Sequence, residues 1–225
     1  MTIAVAELRR YTLHPGRRDE LIELFEREFI ETQEETGIVL PGQFRDLDDP
    51  GRFVWLRGFA SMDERREALT AFYGGPAWKE HRDAANATMI DSDDVLLLRP
   101  VRPGSGLPGD GYRPRVGAEP PDSRVTIVLH HFQRPVGEEF RRVFEAAIPA
   151  LEHAGAGPLA YYETEYAEND FPGLPVRTGE HVFMWVTRGY DPARLAECPQ
   201  WAALTAGAVR TVRLTLAPTV RSLLR

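Results

Sequence analysis

The sequence predicts an α+β protein built from two similar halves, and two observations carry that reading. A segment rich in Pro and Gly, Arg99 to Arg124, shows no apolar periodicity and separates two stretches of similar length. Pro fixes extended pieces, Gly permits turns, and neither supports a core. The flanking stretches repeat one order of strand and helix patterns, with Tyr11 matching Phe132 and Gly16 matching Gly137 at a common offset of 121. Such self-similarity marks an internal repeat. The expected organisation is a first unit over residues 1–100, a linker over 101–123 and a second unit over 124–225.

In the first half, IAVAELRRYTL alternates as a strand and His14-Pro15-Gly16 turns the chain. A helix follows over RRDELIELFEREFIETQEETG. Its Leu21, Ile22, Leu24, Phe25 and Phe29 form an apolar stripe, and Gly37 stands where a C-terminal cap belongs. VLPGQFRDL and the aromatic-rich RFVWLRGFAS read as the second and third strands. Ser61 and Glu64 have capping-box spacing and open a helix through Leu69. After Gly74-Gly75-Pro76 comes a short helix with Trp78 and His81, and DVLLLRPV closes the half as a strand.

The second half gives VTIVLHHFQRPVG as strand and turn, EEFRRVFEAAIPALEHAG as helix, then LAYYETEY and HVFMWVTRG as strands. Asp191 caps the next helix with Pro192 at its first position. Pro199-Gln200-Trp201 echoes Pro76-Ala77-Trp78, and VRTVRLTLAP is the last strand. Each half is therefore β-α-β-β-α-β, the ferredoxin-like order. A unit of that kind covers one face of its sheet with helices and leaves the other bare. Two tandem units in one chain are expected to share those bare faces in one pseudo-symmetric barrel, as two half-size chains would in a homodimer.

Composition narrows the function. A net charge of −7 argues against nucleic acid as a partner, since phosphates call for a basic face. No apolar run reaches the length of a membrane span, and Glu7 sits where a signal peptide needs apolar residues. The single Cys198 forbids an intrachain disulfide and a Cys-cluster metal site, and points to a reducing, cytoplasmic compartment. Of 27 basic residues 26 are Arg, a bias that a GC-rich coding genome explains. No GxSxG, P-loop or dinucleotide GxGxxG occurs. The six His show no spacing that pairs two imidazoles on a helix, and the adjacent His130 and His131 point to opposite sheet faces. No metal and no bound cofactor is expected.

Strand alternation puts Glu7, Arg9 and Tyr11 on one face, and Phe53, Trp55, Arg57 and Phe59 on another. Trp78, Lys79 and His81 follow on the short helix and could close over one of them. A charged pair beside Tyr and Trp suits a planar or carboxylated small molecule. Arg9 and Arg57 would anchor an anion, with Glu7 beside them, while Tyr11, Trp55 and Trp78 stack or hydrogen-bond. His81 and His130 are the two His that could face a cavity and move a proton or hold a haem. The plainer alternative pairs Glu7 with Arg9 and uses the aromatics as packing. In the second half Val128, His130 and Phe132 stand at the matching positions, which fits one site per chain and equally fits drift in an idle copy. The long connection Glu165–Glu180 has the length of a lid or interface arm, with Phe171 and Leu174 as its apolar contacts, and plain surface variation accounts for it equally well.

The run ELRRYTLHPG, then FVWLRGFASMDERREAL, PAWKEHR and VLLLRP, resembles the NIPSNAP family over about residues 4–100. The resemblance implies the dimeric α/β-barrel group of ferredoxin-like folds, and a tandem two-domain form of it. That group includes cofactor-free monooxygenases, isomerases, haem-binding enzymes and members without a known reaction. The function expected is small-molecule binding by a cofactor-independent enzyme, of monooxygenase, isomerase or tailoring type, in bacterial specialised metabolism. The alternatives are a non-catalytic binding or interaction module and a haem binder. Fold kinship alone leaves the activity open.

Overall fold

The computed structural model describes residues 2–225, so the first residue of the expected first unit lies outside it. Strand β1 (Val5–Leu13) leads into α1 (Arg18–Leu24), a π-helical turn (Phe25–Phe29) and α2 (Ile30–Glu34). Then come β2 (Val39–Asp46), β3 (Arg52–Phe59), α3 (Met62–Gly74), α4 (Pro76–Asn86), β4 (Met89–Asp91) and β5 (Val95–Pro100). Beyond an irregular stretch, whose Pro108 bridges to Thr2, lie β6 (Val125–His131), α5 (Glu138–His153) and β7 (Pro158–Thr164). The chain ends with β8 (Val182–Arg188), α6 (Pro192–Ala196), α7 (Pro199–Ala206) and β9 (Arg210–Pro218).

β1 pairs with both β3 and β5, and the order β3-β2-β9-β6-β8-β7-β5 returns to it. Eight antiparallel strands thus close into a barrel, with the short β4 hung on the end of β1. The period of two sends alternate residues inward, and Leu8, Phe44, Leu56, Leu98, Leu129 and Met184 join one core inside the barrel. The opposite faces carry the helices. Around β1 and β3 the outer core draws on α1, the π turn, α2 and α3, and around β6 and β8 it draws on α5, α6 and α7.

Three local expectations change. The helix expected through residues 17–37 is broken by the π turn, which adds a residue to one turn and re-aims the helix beyond it. The Glu26 carbonyl oxygen in that turn accepts from Arg221 Nη1 at 2.8 Å, and the Glu26 carboxylate accepts from the Arg221 backbone N–H at 2.9 Å. The helix opened by Ser61 runs to Gly74 rather than Leu69, because Phe72 extends the stripe of Ala68 and Leu69. β4 is too short for its alternation to show in sequence. The Ser61 and Asp191 caps form as expected, on the N–H groups of Glu64 and Ala193.

Arg221 is the brace of this region. Besides Glu26 it reaches the Pro114 carbonyl at 3.0 Å and the Glu31 carboxylate at 2.9 Å, tying the C-terminal tail and the 101–124 segment to the π turn. Charge-assisted hydrogen bonds of this kind are the strong ones. Arg221→Ala should lower the unfolding free energy by about 2–3 kcal/mol in a urea titration. A loss within experimental error would show that the tail is not part of the cooperative unit.

Candidate small-molecule site

The site lies between the outer face of β1 and β3 and the helices of the first half. Alternation puts Glu7, Arg9 and Tyr11 on that face of β1, and antiparallel register sets Glu7 opposite Arg57 and Arg9 opposite Trp55. From above, α3 lowers Arg65 into the same layer. Arg65 belongs to the buried stripe Arg65, Ala68, Leu69 and Phe72, so helical periodicity alone forces its guanidinium inward.

Glu7 is the hub. Its Oε2 accepts from Arg9 Nη1 at 2.6 Å and from Arg57 Nε at 2.7 Å, and its Oε1 accepts from Arg65 Nε at 2.7 Å. All four side chains are buried. Burial by itself would push the Glu7 carboxyl up, but Arg57, Arg9 and Arg65 outweigh it and hold the group well below the ordinary carboxylate range. Glu7 is a fixed anion and no proton acceptor. Tyr11 accepts from Arg9 Nε at 3.0 Å, and burial raises its pKa, so it remains a neutral phenol. Arg57 Nη1 donates to Tyr73 Oη at 3.4 Å.

One further carboxylate reaches the cluster, from the other half of the chain. Asp170, in the connection between β7 and β8, accepts from Arg65 Nη1 at 2.6 Å, and Asn169 Oδ1 accepts from the same nitrogen at 3.1 Å. Three guanidiniums therefore face two carboxylates, a net charge of +1 in a buried layer. Among the described residues Arg57 Nη2 and Arg65 Nη2 find no hydrogen-bond partner. Buried donors left unpaired are costly, and they mark where an acceptor belongs.

Beside the cluster is a cavity of about 30 Å³ whose lining includes Tyr11, Trp55, Gln33, Phe72, Tyr73 and Trp78. Two of its polar atoms also lack partners, the donor Trp55 Nε1 and the acceptor Gln33 Oε1. The space holds about one water; a ligand pocket is on the order of 300 Å³ or more. Arg9 and Arg57 stack over the Trp55 ring at 5.5 and 5.3 Å, so the charged layer forms one wall of the aromatic one. The π turn supplies the facing wall through Phe25 and Phe29. A roomier groove of about 820 Å³ runs along Arg99, Arg102, Arg141 and Glu163. Its three arginines are paired with Glu163 or Glu145, and none of the unpartnered buried side-chain atoms among the described residues lines it.

Of the residues singled out in sequence, Glu7, Arg9, Tyr11, Trp55, Arg57 and Trp78 come together here. The two His do not. His81 points to Glu28, with Nε2 at 3.5 Å from its carboxylate, and lies outside the cavity lining. His130 sits in the second half with both ring nitrogens engaged. Nε2 accepts from Trp185 Nε1 at 3.1 Å, which leaves the proton on Nδ1 to donate to Thr211 Oγ1 at 3.0 Å. Burial, and then His131, lower its pKa to about 4, so it is neutral near pH 7. A group packed by Phe140 and Trp201 with no free nitrogen fits neither a general base nor a haem ligand. Arg65, Tyr73, Gln33 and Asp170 were not singled out. For Arg65 the signal was present, as one charge inside an apolar helical stripe.

Among the described residues no three His, Cys, Asp or Glu side chains converge as a metal site, and no helix is long and apolar enough to cross a membrane. No curated protein matches the chain in sequence. A "putative monooxygenase" from Lactobacillus acidophilus is similar in structure, with TM-score 0.57, 13% identity and coverage of 96% of this chain and 94% of that one. An anthrone oxidase-like protein gives TM-score 0.53 and 12% identity over 97% of this chain and 92% of the other. At such identities the likeness is one of fold alone. A NIPSNAP-like domain protein from Burkholderia xenovorans, 25% identical, covers 48% of this chain and 95% of its own, with TM-score 0.43. The NIPSNAP family model matches residues 6–103, the half that carries the charged cluster and the cavity. That half of the barrel is therefore similar to NIPSNAP domains.

Proposed function

We propose that the chain binds an acidic aromatic metabolite, as its anion, between sheet and helices of the first half. In this reading it oxidises the molecule without a bound cofactor, in the manner of a monooxygenase. One observation carries this: a buried layer of net charge +1 with unpaired guanidinium donors, set against an aromatic cavity. Such a layer lowers the pKa of an acidic guest, so the ligand loses its proton to water on binding. The chain's own residues then stabilise the anion through Arg57 and Arg65 and donate from the Tyr11 hydroxyl and Trp55 Nε1. An electron-rich anion of this type reacts with O₂ directly. For an anthrone, one O₂ converts the methylene to a carbonyl and releases one water.

The fold fits this use. We read the barrel as two ferredoxin-like units, 1–100 and 124–225, joined by 101–123, with the pocket kept in one and filled in the other. The matching layer of the second half holds Val128, His130 and Trp185 with every polar atom satisfied.

The small cavity favours a second reading, a binding module whose pocket its own aromatics fill. Oxygen consumption with 1,8-dihydroxyanthrone separates the two. Turnover above the spontaneous rate, with loss of at least tenfold in Arg9→Gln, is the expected result. Arg9→Gln leaves the cluster neutral, so the fold survives it. Equal rates with and without protein, alongside saturable quenching of tryptophan fluorescence, would establish binding without catalysis.

A further inference from the structure

The cavity as it stands admits no ring system, so an element must move before a ligand enters. The helices over it are anchored by the apolar core of the first half. Among the described residues, the element from outside that half that packs on this core is the tip of the connection between β7 and β8, which meets the cavity wall at Tyr73. Phe171 rests on Tyr73 with ring centroids 5.9 Å apart and planes at 31°, and Leu174 packs on the same core. The tip is held together by its own bonds, Asn169 Nδ2 to the Leu174 carbonyl at 2.9 Å and Leu174 N–H to the Phe171 carbonyl at 3.1 Å. Its base is pinned on both sides of the tip. Glu165 N–H donates to the Leu97 carbonyl, and Arg177 N–H to the Val95 carbonyl, each at 2.9 Å. Between these pins, the side-chain hydrogen bonds from the tip to the rest of the barrel converge on one residue, Arg65.

We propose that residues 168–174 form a lid latched by Asp170, whose carboxylate holds on Arg65 the place that the acid group of the ligand takes. This rests on reading the pocket as a site for an anion. The chemistry of the latch matches it. Arg65 is wholly buried and has committed Nε to Glu7, so Nη1 and Nη2 are the face it offers. Asp170 is the partly exposed member of the cluster, with a fifth of its side chain in contact with solvent. It can leave for water at low cost, whereas Glu7 cannot. An incoming monoanion replaces its charge on Arg65 and the layer keeps its net charge. A neutral analogue cannot displace the latch and enters only when the lid opens spontaneously. Asp170 is thus a specificity device as well as a closure: the site opens for acids.

Two measurements on Asp170→Asn test this. Hydrogen exchange of the amides of residues 168–174 should quicken about tenfold when the charge is removed. By tryptophan fluorescence, 2-naphthoate should bind about tenfold more tightly to Asp170→Asn than to the wild type, with a smaller gain for the neutral 2-naphthamide. Unchanged exchange in the tip would overturn the latch. Faster exchange with equal gains for acid and amide would overturn the exchange of carboxylates and leave a purely steric lid. If neither compound binds either protein while exchange does quicken, the reading of the pocket as an acid site falls and takes the inference with it, although the lid itself moves.

Discussion

Glu7→Gln should lower the stability of this protein by about 3–5 kcal/mol, the loss expected when one partner of a buried ionic cluster is removed. The substitution keeps shape and volume but strips the charge that holds Arg9, Arg57 and Arg65 together. Three buried guanidiniums would then share the single carboxylate of Asp170, and a Gln amide would turn N–H donors toward donors. The cluster as a whole is weak ground for stability, because desolvating its charges offsets much of their attraction. Taking away its centre is another matter. Arg9→Gln removes a charge of the sign already in excess and should cost only about 1–2 kcal/mol. Urea midpoints of the two variants test the asymmetry. Equal losses would mean that lost contacts, not charge balance, govern the cluster.

Acid should destabilise the protein well before its carboxylates titrate. His130 binds its proton with a pKa of about 4 in the folded chain against 6.5 when unfolded. The unfolded state therefore takes up more protons between those values, and stability falls as pH falls. The contribution is complete above pH 6.5 and is lost on descending to pH 4, about 3 kcal/mol in all. His131, pushed down first by its own burial, acts in the same direction. Glu7, held low, adds its share only below its unfolded value of 4.5. Stability of wild type and His130→Gln, measured by denaturant titration from pH 7 to pH 4, isolates the term. The variant should be less stable at pH 7 and show a shallower slope; parallel curves would contradict the assignment.

The strands and most of the pocket floor were legible because a period of two is short and strict. Once β1 and β3 were recognised, Glu7, Arg9, Tyr11, Trp55 and Arg57 could only lie on faces together. The roof was harder. Arg65 was visible in principle, as a charge in the stripe of α3. Tyr73 and Gln33 were not, because their place depends on how the helices tilt over the sheet and on the π turn, which no propensity announces. Asp170 lies 105 residues from Arg65 in sequence, and nothing local binds an acidic loop residue to an arginine in the other half. His130 failed as a candidate for a related reason. Trp185, which occupies its Nε2, sits on the neighbouring strand, two pairs along the ladder from its direct partner Phe183. A histidine on an apolar face cannot be assigned until that diagonal neighbour is known.

The barrel is closed by two unequal kinds of strand pairing. Within each half the ladders are long, eight residue pairs between β1 and β3 and seven between β6 and β8. The seams between halves, β2 with β9 and β5 with β7, hold three pairs each. A seam held by three pairs is a weaker join than a ladder of seven or eight. The barrel therefore opens most readily along its seams, between one half and the other. The lid crosses one of those seams from β7 to reach the pocket behind β1. The pocket is thus capped only after the two sheets have met, so a chain that has not completed its barrel has no closed site to offer.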